Sequence, residues 1–136
     1  NRYGKDQYYG KHIDKAVIHG IRCDFSFTLS LTNPDSYSGG ELVLYDGDKS
    51  IELKLAEGEI VLYATSLVHE VKAVTSGERT SVVGWLKSSI GSEGDRNLVR
   101  SAHDLIYSLK NSQNLSYEKF LPLLEFQQNL VRRLGD

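Results

Sequence analysis

Between residues 24 and 86 the chain alternates apolar and polar residues in short runs parted by turn-forming pairs, with no helical stretch intervening. A period of two sends successive side chains to opposite faces, so each run reads as one pleated strand. The clearest covers residues 24–31, where Phe25, Phe27, Leu29 and Leu31 share one face and Ser26, Thr28 and Ser30 the other. Asn33, Pro34, Asp35 and Ser36 then make a loop. Residues 41–45 form a second strand, and Asp46-Gly47 is a tight hairpin into residues 50–55, with Ile51, Leu53 and Leu55 expected to face inward. Glu57-Gly58 turns into residues 59–64; residues 68–74 and 80–86 follow, parted by Ser76-Gly77. Strands this short and this regularly spaced predict an antiparallel sandwich or barrel, a mainly β fold.

The pattern changes near residue 90. Leu98, Val99, Ala102, Leu105, Ile106 and Leu109 recur at helical spacing, and polar residues 110–116 are expected to break that helix. Pro122 is expected to open the last helix, with Leu123, Leu124, Gln127, Leu130, Val131 and Leu134 on one side. The expected organisation is one domain over residues 1–136, with a β core in 1–90 and a helical segment in 91–136. The two helices are expected to cover a sheet face or a partner subunit, which includes a homo-oligomer formed through them.

Charge and composition remove several classes of function. Sixteen basic and eighteen acidic residues leave a net charge of -2, which advertises no polyanion-binding surface, so no nucleic-acid partner is expected. No apolar run is long enough to span a bilayer and no signal-peptide pattern opens the chain, so no membrane partner and a cytoplasmic location are expected. A single cysteine, Cys23, excludes an internal disulfide framework and a multi-cysteine zinc site. Beside a strong strand it reads as a small buried hydrophobe. The absence of methionine is expected of a processed chain or of a piece of a longer one.

Histidine carries the chemistry. His12-Ile13-Asp14 places an imidazole and a carboxylate two residues apart, and in extended chain they converge on one point. His69 opens a later strand and could supply a third ligand from across a sandwich. Two histidines and one carboxylate on one side of an ion form the facial triad that leaves positions open for Fe(II) oxygen chemistry. Arg79 follows ten residues after His69, and its planar, permanently charged fork suits a carboxylate held by two hydrogen bonds. The charges of Fe(II), Asp14, a 2-oxo dicarboxylate and Arg79 cancel, as a buried site requires. His19 and His103 read as surface residues.

At this point the sequence resembles the Fe(II)- and 2-oxoglutarate-dependent dioxygenases of the prolyl 4-hydroxylase type, and among them the PKHD-type hydroxylases. The resemblance is carried by His12-x-Asp14, His69 and Arg79 at their spacings. It extends to Tyr3, Tyr9 and His12 in a Tyr-x5-Tyr-x2-His segment, to Gly39-Gly40-Glu41-Leu42, to residues 58–63, to Trp85 and to a tail helix over residues 126–133. It implies a double-stranded β-helix, or jelly-roll, holding Fe(II) between two sheets through His12, Asp14 and His69. It implies 2-oxoglutarate as cosubstrate, its distal carboxylate on Arg79 with help from Ser81, and Tyr3 and Trp85 along its pocket. Oxygen would be consumed, succinate and CO2 released and a C–H bond hydroxylated, with a peptidyl proline as one substrate and ascorbate as an accessory reductant. A protein or peptide substrate follows from that reading. Gly39 and Gly40 are expected to serve backbone geometry. The resemblance also places Leu29 where some relatives carry a second carboxylate-binding tyrosine, and because family chains carry a segment ahead of the tyrosine motif, this chain is expected to be a catalytic core without it. The alternative is a metal-binding jelly-roll without oxidative activity, or an inactive truncated relative. AlkB-type nucleic-acid demethylation fits poorly, because residues 79–83 lack that family's Arg-x-Asn-x-Thr-x-Arg pattern.

Overall fold

A computed structural model describes residues 1–135 of the chain. In chain order its strands are β1 (Arg2–Tyr3), β2 (Tyr9–His12), β3 (Val17–Ile18), β4 (Ile21–Arg22), β5 (Phe25–Ser30), β6 (Ser38–Gly39), β7 (Leu42–Asp46), β8 (Lys49–Leu53), β9 (Ile60–Ala64), β10 (Val68–Val71), β11 (Val74–Ser76) and β12 (Arg79–Leu86). Two helices follow, α1 (Glu93–Gln113) and α2 (Tyr117–Leu134). The chain divides into two compact units, Asn1–Lys87 and a helical unit that begins at Ser88.

The first unit is a mainly β jelly-roll. Its two four-stranded antiparallel sheets have the orders β1-β12-β5-β9 and β2-β10-β7-β8, and two short ribbons, β3-β4 and β11-β6, complete it. The crossing order follows from the alternation: each strand buries one face, so consecutive strands are shared between two sheets that enclose a common interior. A small apolar cluster of Leu42, Tyr63 and Val71, with Tyr3, Leu44 and Leu53 against it, closes part of that interior.

The pleat parity matches the sequence, but its direction in the central strand is unexpected. Ser26, Thr28 and Ser30 are the buried face of β5, whereas Phe25, Phe27 and Leu29 are only half-buried. The interior here is a polar cavity, so it draws the hydroxyls inward. Leu29 therefore lies on the outer face, paired with Val82 and Ile60, and cannot reach the interior as the tyrosine position of some relatives would. Ile51 also departs from expectation and is exposed, while Leu53 is half-buried and Leu55 buried. Strand β8 is the edge of its sheet, and Ile51 on it keeps 60% of its surface exposed. The expected strand over residues 68–74 is divided, because β10 and β11 belong to different sheets.

Both helix boundaries in the tail move. Helix α1 runs past Lys110 to Gln113 and ends at Asn114 in the left-handed conformation (φ 46°), a residue that tolerates this cap. Its start is fixed by Ser92, whose hydroxyl accepts the Asp95 N–H. Helix α2 starts at Tyr117, so Pro122 lies inside it rather than opening it. The proline removes one backbone donor, a cost of about 3 kcal/mol within a helix. Upstream of it, Phe120 is buried, donates its N–H to the Ser116 carbonyl and meets Tyr107 of α1 edge-on, which holds the first turn in place. Gln127 of α2 hydrogen-bonds His103 of α1 at 2.8 Å, and His103 itself stays largely exposed, as does His19. Cys23 is buried and free. Among the described residues no helix is long and apolar enough to cross a membrane.

Candidate metal and cosubstrate site

The site grows from one register. Strands β2 and β10 are antiparallel neighbours with His12 opposite His69, and a bulge follows His69. Cross-strand partners face the same way, so the two imidazoles point into the interior with ring centroids 4.1 Å apart. Each ring is held by the carbonyl two residues upstream: His12 Nδ1 meets Gly10 O at 2.8 Å and His69 Nδ1 meets Leu67 O at 2.9 Å. A carbonyl only accepts, so in the neutral rings Nδ1 carries the proton and Nε2 presents a bare lone pair.

Asp14 completes the group. It lies just past β2, with Oδ1 3.6 Å from His12 Nε2 and Oδ2 3.6 Å from His69 Nε2. The three ligand atoms all lie within 4.8 Å of one another. Three acceptors that converge with lone pairs facing one another offer a cation a ready site. The donor set, two imidazole nitrogens and one carboxylate oxygen, fits a divalent ion such as Fe(II) and leaves coordination positions open.

Across the interior, β12 brings the cationic end. Arg79 is buried, with 5% of its surface exposed, and its Nη1 donates to Ser81 Oγ at 2.9 Å. Tyr3, opposite Arg79 in the β1–β12 ladder, sets its ring 5.8 Å from the guanidinium. Tyr37 also hydrogen-bonds it. Among the described residues no carboxylate forms an ion pair with Arg79, so a buried positive charge faces the cavity without a counter-charge beside it. Gly40 makes room for this side chain. It adopts φ +70°, and a Cβ there would lie 3.1 Å from Arg79 Cδ and 3.0 Å from Val74 Cγ2. At Gly39 (φ +72°) a Cβ would fall 2.1 Å from the Ala73 carbonyl oxygen, so both glycines serve backbone geometry.

Between the two ends lies a cavity of about 270 Å³, lined by Tyr3, His12, Asp14, His69, Arg79 and Trp85 among others. Six of the seven residues singled out from the sequence therefore border one space, and the seventh, Ser81, grips the Arg79 side chain from the same strand face. Sequence reasoning missed Ser26, Thr28 and Tyr63, which also line it. Burial pushes the Tyr63 phenol above the ordinary tyrosine range, Asp14 adds to that, and the Thr28 hydrogen bond works against it. Burial raises the Tyr3 phenol too, with Arg79 opposing. Both rings thus present neutral hydroxyls to the cavity.

A jelly-roll whose cavity gathers two imidazoles and a carboxylate opposite a buried arginine has the architecture of a β-sandwich that holds a metal ion between its sheets. The family model for the 2OG-Fe(II) oxygenase superfamily matches residues 1–87, and the chain belongs to that superfamily. It is 42% identical over 136 residues to a PKHD-type hydroxylase of Maricaulis maris and 40% identical over 140 residues to one of a Shewanella species. All of this chain is covered in both, but it spans 62% of the length of either relative. A solved oxidoreductase of the 2OG-Fe(II) oxygenase family from Burkholderia pseudomallei superposes with a TM-score of 0.54 at 29% identity, over 62% of this chain and 39% of that one. A Pseudomonas putida prolyl-4-hydroxylase shares the fold, with a TM-score of 0.54 at 24% identity over 64% of this chain and 49% of that one.

Proposed function

We propose that the chain forms the catalytic core of an Fe(II)- and 2-oxoglutarate-dependent hydroxylase. His12, Asp14 and His69 hold the metal, and Arg79 with Ser81 receives the distal carboxylate of 2-oxoglutarate. Bound iron supplies the activation of oxygen that couples decarboxylation of the 2-oxo acid, with release of succinate and CO2, to hydroxylation of a C–H bond. The chain's own residues do the positioning. The carbonyls of Gly10 and Leu67 aim the two Nε2 lone pairs at one point. Arg79 and Ser81 fix the far end of the cosubstrate, and Tyr3 and Trp85 wall the space between. The relatives' hydroxylase names, together with the sequence's resemblance to the prolyl 4-hydroxylase type, make a peptidyl proline the first substrate to test.

The observation that carries this reading is Arg79. A plain metal-binding jelly-roll has no use for a buried guanidinium without a carboxylate partner, and leaving such a charge uncompensated is costly. A dianionic guest with one end on the metal and the other on Arg79 neutralises both. Supplying Fe(II), 2-oxoglutarate and oxygen to the chain and measuring succinate tests it: slow succinate formation without substrate, stimulated by a proline-containing peptide, is expected. An absence of both succinate formation and 2-oxoglutarate binding would leave only a non-oxidative metal site.

A further inference from the structure

We propose that Ser26 is the positioning residue for the Asp14 carboxylate, and that Thr65 completes the hydrogen-bonded chain behind it. This rests on the reading of Asp14 as a metal ligand. The two imidazoles are each locked by a backbone carbonyl, but Asp14 lies beyond the end of β2, where no strand ladder orients its side chain. Apart from the two facing imidazoles, its one partner among the described residues is Ser26, whose hydroxyl donates to Oδ2 at 2.7 Å. A hydroxyl-to-carboxylate bond of that length is charge-assisted and stronger than a neutral one.

The donor is unusually well anchored. Ser26 is 1% exposed and is the second residue of β5, the strand between β12 and β9, with Trp85 and Tyr63 as its ladder partners. It therefore reaches from the rigid centre of one sheet to a carboxylate carried by a connection of the other. Ser26 Oγ also lies 3.3 Å from Thr65 Oγ1, itself 4% exposed. A serine hydroxyl has a single proton, and the shorter bond claims it for the carboxylate. The Thr65 hydroxyl then serves Ser26 as donor and strengthens the pull on Asp14. The chain Thr65–Ser26–Asp14 thus does for the carboxylate what Gly10 and Leu67 do for the imidazoles. Donors that orient a ligand in this way commonly change metal affinity by 10–100-fold, about the size of the effect expected here.

The test uses the full chain stripped of metal, with Mn(II) as the probe and affinity read from the electron paramagnetic resonance of the free ion. Ser26→Ala is expected to weaken Mn(II) binding about tenfold and Thr65→Val about threefold, with the metal-free melting temperature of each within about 5 °C of the parent. Parent-like affinity in both variants, while Asp14→Ala abolishes binding, overturns this proposal and leaves the ligand assignment standing. So does a collapse of metal-free stability in both variants, which would make the pair a structural clasp. A parent chain that fails to bind Mn(II), or an Asp14→Ala variant that binds it normally, removes the ligand assignment and this proposal together.

Discussion

The two faces of the sheet β1-β12-β5-β9 are made of opposite materials. Its inner face carries Ser26, Thr28 and Ser30 on β5 with Arg79 and Ser81 on β12, all buried. Its outer face carries Phe25, Phe27 and Leu29, half-buried, beside Ile60, Leu62 and Val82, which are exposed. Burial of a polar group is favourable only when its hydrogen bonds are met, and among the described residues no buried side-chain nitrogen or oxygen lacks a partner. The polar side faces inward onto the cavity, and apolar packing inside is confined to the small core of Leu42, Tyr63 and Val71. On this sheet the inner face joins chemistry and cohesion, since Tyr63 of the core lies beside Ser26, whereas the outer face is half open to solvent, so substitutions on the two faces should differ in cost.

The largest effect should come from the ligands. His69→Ala or Asp14→Ala is expected to abolish specific metal binding, measured by Mn(II) titration, and with it any succinate formation. Arg79→Ala ranks next: losing a charge-assisted pair worth about 1.5–3 kcal/mol should weaken 2-oxoglutarate roughly 10–100-fold while metal affinity stays near the parent value. Calorimetric titration of cosubstrate into Mn(II)-loaded protein reads the first quantity, and Mn(II) titration of the metal-free protein reads the second. Unchanged cosubstrate affinity would take Arg79 out of the assignment. Gly40→Ala reaches the same guanidinium from behind. A non-glycine residue in the left-handed region costs about 1 kcal/mol, and the added methyl presses on Arg79 Cδ, so a modest loss of melting temperature should accompany a several-fold loss of 2-oxoglutarate affinity.

The sequence made much of this legible, because strands and sites leave different traces. Alternation and turn pairs identified β5, β7, β8, β9 and β12 to within about two residues at each end, but missed the two-residue β6 and merged β10 with β11. The spacing of His12, Asp14, His69 and Arg79 identified residues that the fold does bring to one cavity. What alternation cannot tell is which side is the inside. It fixes parity only, and the usual preference for apolar interiors points the wrong way on β5, which is why Ser26 and Thr28 escaped notice. Tyr63 escaped for a related reason: in an alternating strand a tyrosine looks like packing, and only its contact with His69 (ring centroids 5.0 Å apart) places it at the site. Pro122 misled because a proline is locally unfavourable inside a helix, and the burial of Phe120 just before it is a tertiary effect.

The smallest effects give the sharpest test of the two-faced sheet. Thr28 and Leu62 lie on neighbouring strands, one inward and 2% exposed, the other outward and 53% exposed. Thr28→Val adds apolar character to a buried strand position, which in an ordinary core would be tolerated or helpful. Here it removes the hydroxyl that bonds Tyr63, at a cost of about 1 kcal/mol, and should relax the partial restraint that bond places on the raised Tyr63 phenol, moving its titration further upward. Leu62→Thr puts a polar, β-branched residue at a half-exposed strand position and should cost about 0.5 kcal/mol or less. Thermal melts of the two variants should therefore rank the apolar-for-polar change inside as the more damaging one. The reverse order would mean that the outer face, not the cavity side, is where this sheet gains its stability.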